Sequence, residues 1–149
     1  RLNISHVDYS IAEYDGRYYS ACKDFISVDT ELVSAWHIKN VLKKENAESE
    51  YSHFLRCCKA AGMTNIENIE NQICQMLVLD CIVANSDRHF NNFGFIRDAN
   101  TLEWYGLAPV FDTGTSLFHD LSVYDLRNGF ADIEHKIKSK PFDFFIYQN

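Results

Sequence analysis

The segment Ile73–Ala84 (ICQMLVLDCIVA) is almost wholly apolar and runs straight into a polar one, Asn85–Asn92 (NSDRHFNN). An apolar run of that length is too long for a typical strand and predicts a buried helix. Asn85 ends it, because Asn and Asp side chains bond nearby backbone and favour turns. Whatever else the chain folds into, a core helix must deliver a polar loop at its C-terminal end.

That loop has an internal order. Asp87 stands five residues before Asn92, with Arg88 and His89 between them, and Phe111-Asp112-Thr113-Gly114 places its Asp twenty residues beyond Asn92. Between the two, Phe93–Arg97, Asp98–Thr101 and Leu102–Tyr105 read as strand, turn and strand, a hairpin. Both polar segments are then loops at the ends of rigid elements, which would hold Asn92 and Asp112 close together. Phosphoryl transfer needs an Asp near the attacking hydroxyl, and an Asn and a second Asp as oxygen ligands for magnesium on nucleotide phosphates. D-x-x-x-x-N followed by D-x-G supplies Asp87, Asn92 and Asp112 in that order. Either fragment alone reads as a chance spacing or a simple turn; the order and the flanking elements favour the chemical reading.

Asn85–Phe95 together with Ala108–Ser116 (APVFDTGTS) resembles the C-terminal lobe of HipA-like kinases, bacterial serine/threonine kinases of which several are toxins paired with a DNA-binding antitoxin. The D-R-H-x-x-N order is also similar to the phosphoinositide-kinase catalytic loop. The resemblance implies an α+β fold: a mainly helical, protein-kinase-like C-lobe, with a short β-hairpin carrying the metal-site loops and hinge strands before it. It implies that Asp87 is catalytic, receiving or orienting the acceptor hydroxyl, and that Asn92 and Asp112 hold Mg²⁺. Thr113-Gly114 stands where protein kinases carry Phe-Gly.

Upstream, Asp8–Ala12 and Gly16–Cys22 read as two strands around an Asp15-Gly16 turn. Cys22-Lys23-Asp24-Phe25 then resembles the family's hinge, where backbone groups meet adenine; an ordinary edge hairpin is the competing reading. On the resemblance, Ala21, Cys22, Lys23, His89, Asn92, Phe111 and Asp112 contact ATP. His89 also has a purely structural reading, as a loop histidine bonded to backbone. No Gly-rich stretch precedes residue 85. The expectation is therefore that residues 1–149 form one domain, a hinge plus C-lobe, of a longer protein whose N-lobe is missing, and that this piece alone is inactive.

Composition narrows the alternatives. A chain of 149 residues with 46% hydrophobic and 23% charged content suits one soluble domain. No stretch approaches the eighteen or so apolar residues of a membrane span. Net charge is −7 without a basic stripe, which disfavours direct nucleic-acid binding. Lys43, Lys44, Lys136, Lys138 and Lys140 read as a solvated face. Five cysteines, Cys22, Cys57, Cys58, Cys74 and Cys81, make a poor disulfide framework and fit a reducing cytosol. Cys74 and Cys81 sit at core spacing on the apolar helix. The six histidines lack zinc-ligand spacing.

Elsewhere, Thr30–Ile38 reads as a helix opened by a hydroxyl and an acid. Ser49–Ala61 reads as another, with Phe54, Leu55 and Cys58 inward and Gly62 as its cap. Leu117–Phe130 suggests an activation-type loop, and Phe142, Phe144, Phe145 and Tyr147 an apolar tail that packs on a partner or on further chain. The leading function is ATP-dependent transfer to a protein serine or threonine hydroxyl in a bacterial cytoplasm. The alternatives are a lipid or small-molecule phosphotransferase on a related fold, and a non-catalytic, pseudokinase-like binding module.

Overall fold

Turn chemistry builds the first hairpin. Strands β1 (Tyr9–Tyr14) and β2 (Arg17–Cys22) pair antiparallel from Tyr14↔Arg17 to Tyr9↔Cys22. Asp15 and Gly16 take φ of 51° and 68°, two successive left-handed residues of the kind that match the twist of paired strands. The computed structural model describes residues 4–119 and 121–127, together with two-residue strands at 138–139 and 144–145. The segment 128–137 and most of the tail fall outside the described residues, and with them the full activation-type loop and the packing of the aromatic tail.

The predicted hairpin after Asn92 is present, as β4 (Gly94–Asp98) and β5 (Trp104–Leu107), but a third strand joins it. Strand β3 (Thr30–Ser34) pairs antiparallel with β4, with Val33 opposite Phe95 and Ser34 opposite Gly94. This corrects the helix expected from Thr30; only Ala35–Lys39, α1, is helical. The hydroxyl that reads as a helix cap instead closes a preceding turn, accepting from Ser27 N at 2.8 Å. The acid of the same pair, Glu31, reaches across the sheet to Arg97 Nε at 2.5 Å. Gly94 is required here: a Cβ on it would sit 2.5 Å from the Val33 carbonyl oxygen.

Two long helices complete the core. Helix α2 (Glu50–Ala60) is capped by Ser49, whose side chain accepts from Ser52 N. Helix α3 (Ile66–Ile82) is capped by Asn65, which accepts from Asn68 N. Phe54 of α2 lies under three aromatics, with centroids 5.5 Å from Phe90, 5.9 Å from Phe93 and 6.3 Å from Phe95. A one-turn helix, α4 (Val123–Arg127), follows near the end of the described chain.

A mainly helical lobe was the expectation, and it needs correction. The described chain is mixed, with small antiparallel sheets beside the helices, because Thr30–Ser34, expected as helix, pairs as a strand with the hairpin after Asn92. A second correction concerns α3, whose C-terminal part from Ile73 is almost wholly apolar but is buried on one face. Ile69, Ile73, Met76 and Asp80 point inward, while Cys74, Cys81, Val78 and Ile82 are exposed. Heptad spacing put the two cysteines on one face, but the sequence could not say which face meets the core.

Candidate functional site

Helix α3 ends in a Schellman motif, and that ending aims the polar loop. Asn85 N donates to Asp80 O at 2.9 Å and Ala84 N to Cys81 O at 3.3 Å, closing the last turn. Ala84 takes the left-handed position with φ of 51°, at a cost of about 1–2 kcal/mol for a residue with a Cβ. The usual apolar contact across such a motif is replaced by a polar one, since Asn85 Nδ2 donates to Asp80 Oδ1 at 2.8 Å.

Asp80 anchors the cluster. Arg88 meets it with a fork, Nε to Oδ2 at 2.8 Å and Nη2 to Oδ1 at 2.9 Å, both side chains being 0–2% exposed. The remaining terminal nitrogen, Nη1, donates to the carbonyl oxygens of Asn92 and of Phe111, the latter at 2.9 Å. One guanidinium thus joins the end of the first loop to the residue before Asp112. Asn85 Oδ1 in turn accepts from Asp87 N at 3.2 Å and from Thr115 Oγ1 at 2.8 Å, tying the segment after Asp112 to the same loop. Ser86 adds its backbone N and its hydroxyl to Thr115 O, at 3.4 and 3.3 Å.

The loop's far end is fixed by packing. Trp36 N and Ala35 N, at the start of α1, donate to Phe90 O and Phe93 O at 2.9 and 3.0 Å. Those N–H groups have no partner within their own helix, so the loop's carbonyls supply one. Lys39 Nζ lies 4.4 Å from the Phe90 ring centroid.

The predicted residues fall into two groups. Asp87, His89, Asn92 and Asp112 gather around the Arg88 network. Asn92 Nδ2 donates to Asp87 O at 3.0 Å, which turns the amide oxygen to the opposite side. Asp112 is exposed, with φ of 53°, and its N–H donates to Tyr9 Oη at 3.2 Å. His89 Nδ1 accepts from Asn91 N at 3.2 Å, the backbone-bonded role of the structural reading. The second group, Ala21, Cys22 and Lys23, lines a cleft of about 560 Å³ with His6–Ser10, Asp24, Phe25 and Pro109. Phe111 is not in its lining but stacks on Phe25, centroids 5.7 Å apart. Tyr9 links the groups, since it lines the cleft and bonds Asp112.

Sequence reading missed Asp80, Asn85 as a hub, Thr115 and Tyr9. Asp80 carried a signal: it is the only charge within the run Ile73–Ala84, and a carboxylate in a core helix needs a buried partner. The partner, eight residues on, was not readable from spacing.

Among the described residues no three His, Cys, Asp or Glu side chains are placed to hold a metal by themselves. The Asn92 amide and the Asp112 carboxylate are hard oxygen donors, which suit Mg²⁺ sharing its shell with phosphate oxygens and water.

No protein-family model matches the chain. Over 111 residues, 72% of its length, the chain is 31% identical to serine/threonine-protein kinase CtkA of Helicobacter pylori strain J99, of which the match covers 34%. Its fold matches the crystal structure of a Helicobacter pylori proinflammatory kinase CtkA with a TM-score of 0.72 at 26% identity, covering 89% of this chain and 49% of that one. The likeness is to a protein kinase. The chain spans about a third of the length of its curated relative and about half of the solved structure. Among the described residues no helix is long and apolar enough to cross a membrane.

Proposed function

We propose that this chain carries the catalytic and metal-binding loops of an ATP-dependent serine/threonine protein kinase of HipA-like type. The observation that carries the reading is the junction at Arg88 Nη1, which accepts no substrate itself but brings the Asn92 and Asp112 segments together beside Asp87. Likeness to CtkA supports the reaction class. The HipA-like affiliation rests on the order of residues in Asn85–Phe95 and Ala108–Ser116.

In this reading Asp87 orients the acceptor hydroxyl and takes its proton as the oxygen–phosphorus bond forms and the bond to the departing diphosphate breaks. Asn92 and Asp112 would hold Mg²⁺, which neutralises phosphate charge when bound with the nucleotide. The cleft at Ala21–Lys23 offers backbone groups to the adenine end, and Tyr9 connects that wall to Asp112. The acceptor is a protein hydroxyl.

The test is Asp87→Asn in the full-length protein. The change keeps size and a hydrogen-bonding oxygen but removes the proton acceptor. Phosphate incorporation into an acceptor protein or into the kinase itself should fall by about 10²–10⁴-fold. Calorimetric ATP affinity with magnesium should change by less than about tenfold. Asp112→Asn should damage both. Near-normal transfer by Asp87→Asn would remove Asp87 from the chemistry and the reading with it.

A further inference from the structure

Arg88 is fully buried, and four of its five N–H donors are engaged: two on Asp80, two on the carbonyls of Asn92 and Phe111. No substrate can reach it. Its charge is matched by Asp80, whose own second contact is Asn85. Burying such a pair is a poor way to gain stability, because well-packed apolar residues of similar volume often do as well or better. What apolar residues cannot do is donate to two main-chain carbonyls from separate loops at one fixed point.

We propose that Arg88 is a positioning residue, its guanidinium setting the separation of the Asn92 and Asp112 loops and so the geometry of the magnesium site. The inference rests on the function proposed above and deepens it. The carbonyls it holds belong to Asn92 itself and to the neighbour of Asp112, so movement of either loop off the guanidinium moves a metal ligand. Asp80 holds the fork in its orientation through two hydrogen bonds, as partners behind metal ligands usually do. Lysine would keep the charge but lose the fork, which a single ammonium cannot reproduce.

The experiment measures ATP binding by calorimetry in the full-length protein across a magnesium series, below every variant's melting temperature. Arg88→Lys should raise the magnesium concentration for half-maximal binding by about 10–100-fold, the usual effect of removing a partner behind a metal ligand. Ile69→Ala is the control. It lies in the core eleven residues before Asp80 on α3, and should lower the melting temperature while leaving the magnesium midpoint where the parent has it. Should Arg88→Lys fail to fold, Asp80→Asn, which retains Arg88 and side-chain volume, must shift the midpoint in the same direction. A midpoint in these variants that tracks the Ile69→Ala control, with only melting temperature lost, overturns the inference alone. An unaltered protein that binds no ATP with magnesium overturns the proposed function and this inference together.

Discussion

The loop 85–92 hangs from a charge pair that is 0–2% exposed, whereas hairpin β1–β2 leaves Ile11, Tyr14 and Tyr18 at 83, 77 and 76% exposure. The loop's polar groups are satisfied by residues up to thirty positions away, such as Thr115 on Asn85. The hairpin satisfies itself, through its own ladder and an Asp-Gly turn. Among the described residues its hydrogen-bonded attachments to the rest include a bridge beside it, Val7 N to Val110 O at 3.0 Å and Val110 N to Ser5 O at 2.9 Å, and the Tyr9 hydroxyl, which accepts from Asp112 N. One wall of the candidate site is therefore fixed by burial and the other by local turn chemistry. Preorganised electrostatics belongs where charge must be handled, and the buried wall carries Asp87, Asn92 and the approach to Asp112.

Breaking the buried wall should have the largest effect. Asp80→Ala leaves the Arg88 guanidinium without its carboxylate and should cost about 3–5 kcal/mol of stability in urea unfolding. A loss under about 1 kcal/mol, the scale of an exposed pair, would mean that the two walls do not differ as described.

The link between the walls should be worth less. Tyr9→Phe removes the oxygen that accepts from Asp112 N, an exposed bond worth about 0.5–1.5 kcal/mol at most. Hydrogen exchange at the Asp112 amide should accelerate by up to about tenfold, since that factor corresponds to 1.4 kcal/mol, while exchange within α3 should be unchanged. Unaltered exchange at Asp112 would show that the hairpin is not coupled to the Asp112 loop through Tyr9.

Another charge pair, with side chains 34% and 14% exposed, sharpens the contrast with Asp80–Arg88 and should give the smallest effect. Arg56 forks onto Glu48, with Nε to Oε1 at 2.9 Å and Nη2 to Oε2 at 2.8 Å, and this hydrogen bonding lowers the Glu48 carboxyl from 4.5 to about 2. A folded value below the unfolded one means the contribution is present above pH 4.5 and lost as pH falls from there towards 2. Glu48→Gln should thus be slightly less stable than the parent at pH 6, and the gap in urea midpoint should narrow below pH 4.5 and close only near pH 2. A gap independent of pH would remove Glu48 from the acid response.

Much of the architecture was legible because its signals are local. The Asp15-Gly16 turn, the helix from Ser49 ending at Gly62 and the strands either side of Asp98–Thr101 each depend on a few adjacent residues. Thr30–Ser34 misled because a hydroxyl followed by an acid opens helices, and here Ser27 and Arg97 claimed those groups instead. Cys74 and Cys81 misled because the apolar run Ile73–Ala84 gives no sign of its solvent face; α2 and β5, which pack against α3, decided that.

Residue order alone placed Asp87, Asn92 and Asp112 as one set, since a carboxylate, a carboxamide and a second carboxylate in that spacing match a defined chemistry. It also settled that a helix ends at the loop, because Asn85 interrupts a run that nothing else breaks. Only the tertiary structure decided that Asp80 and Arg88 are partners, that one nitrogen serves both loops, and that Thr115 returns to Asn85. The reason is physical: a turn or a cap is satisfied within a few residues of backbone, whereas a buried charge must find its counter-charge and its carbonyls wherever packing brings them, and no spacing rule reports that distance.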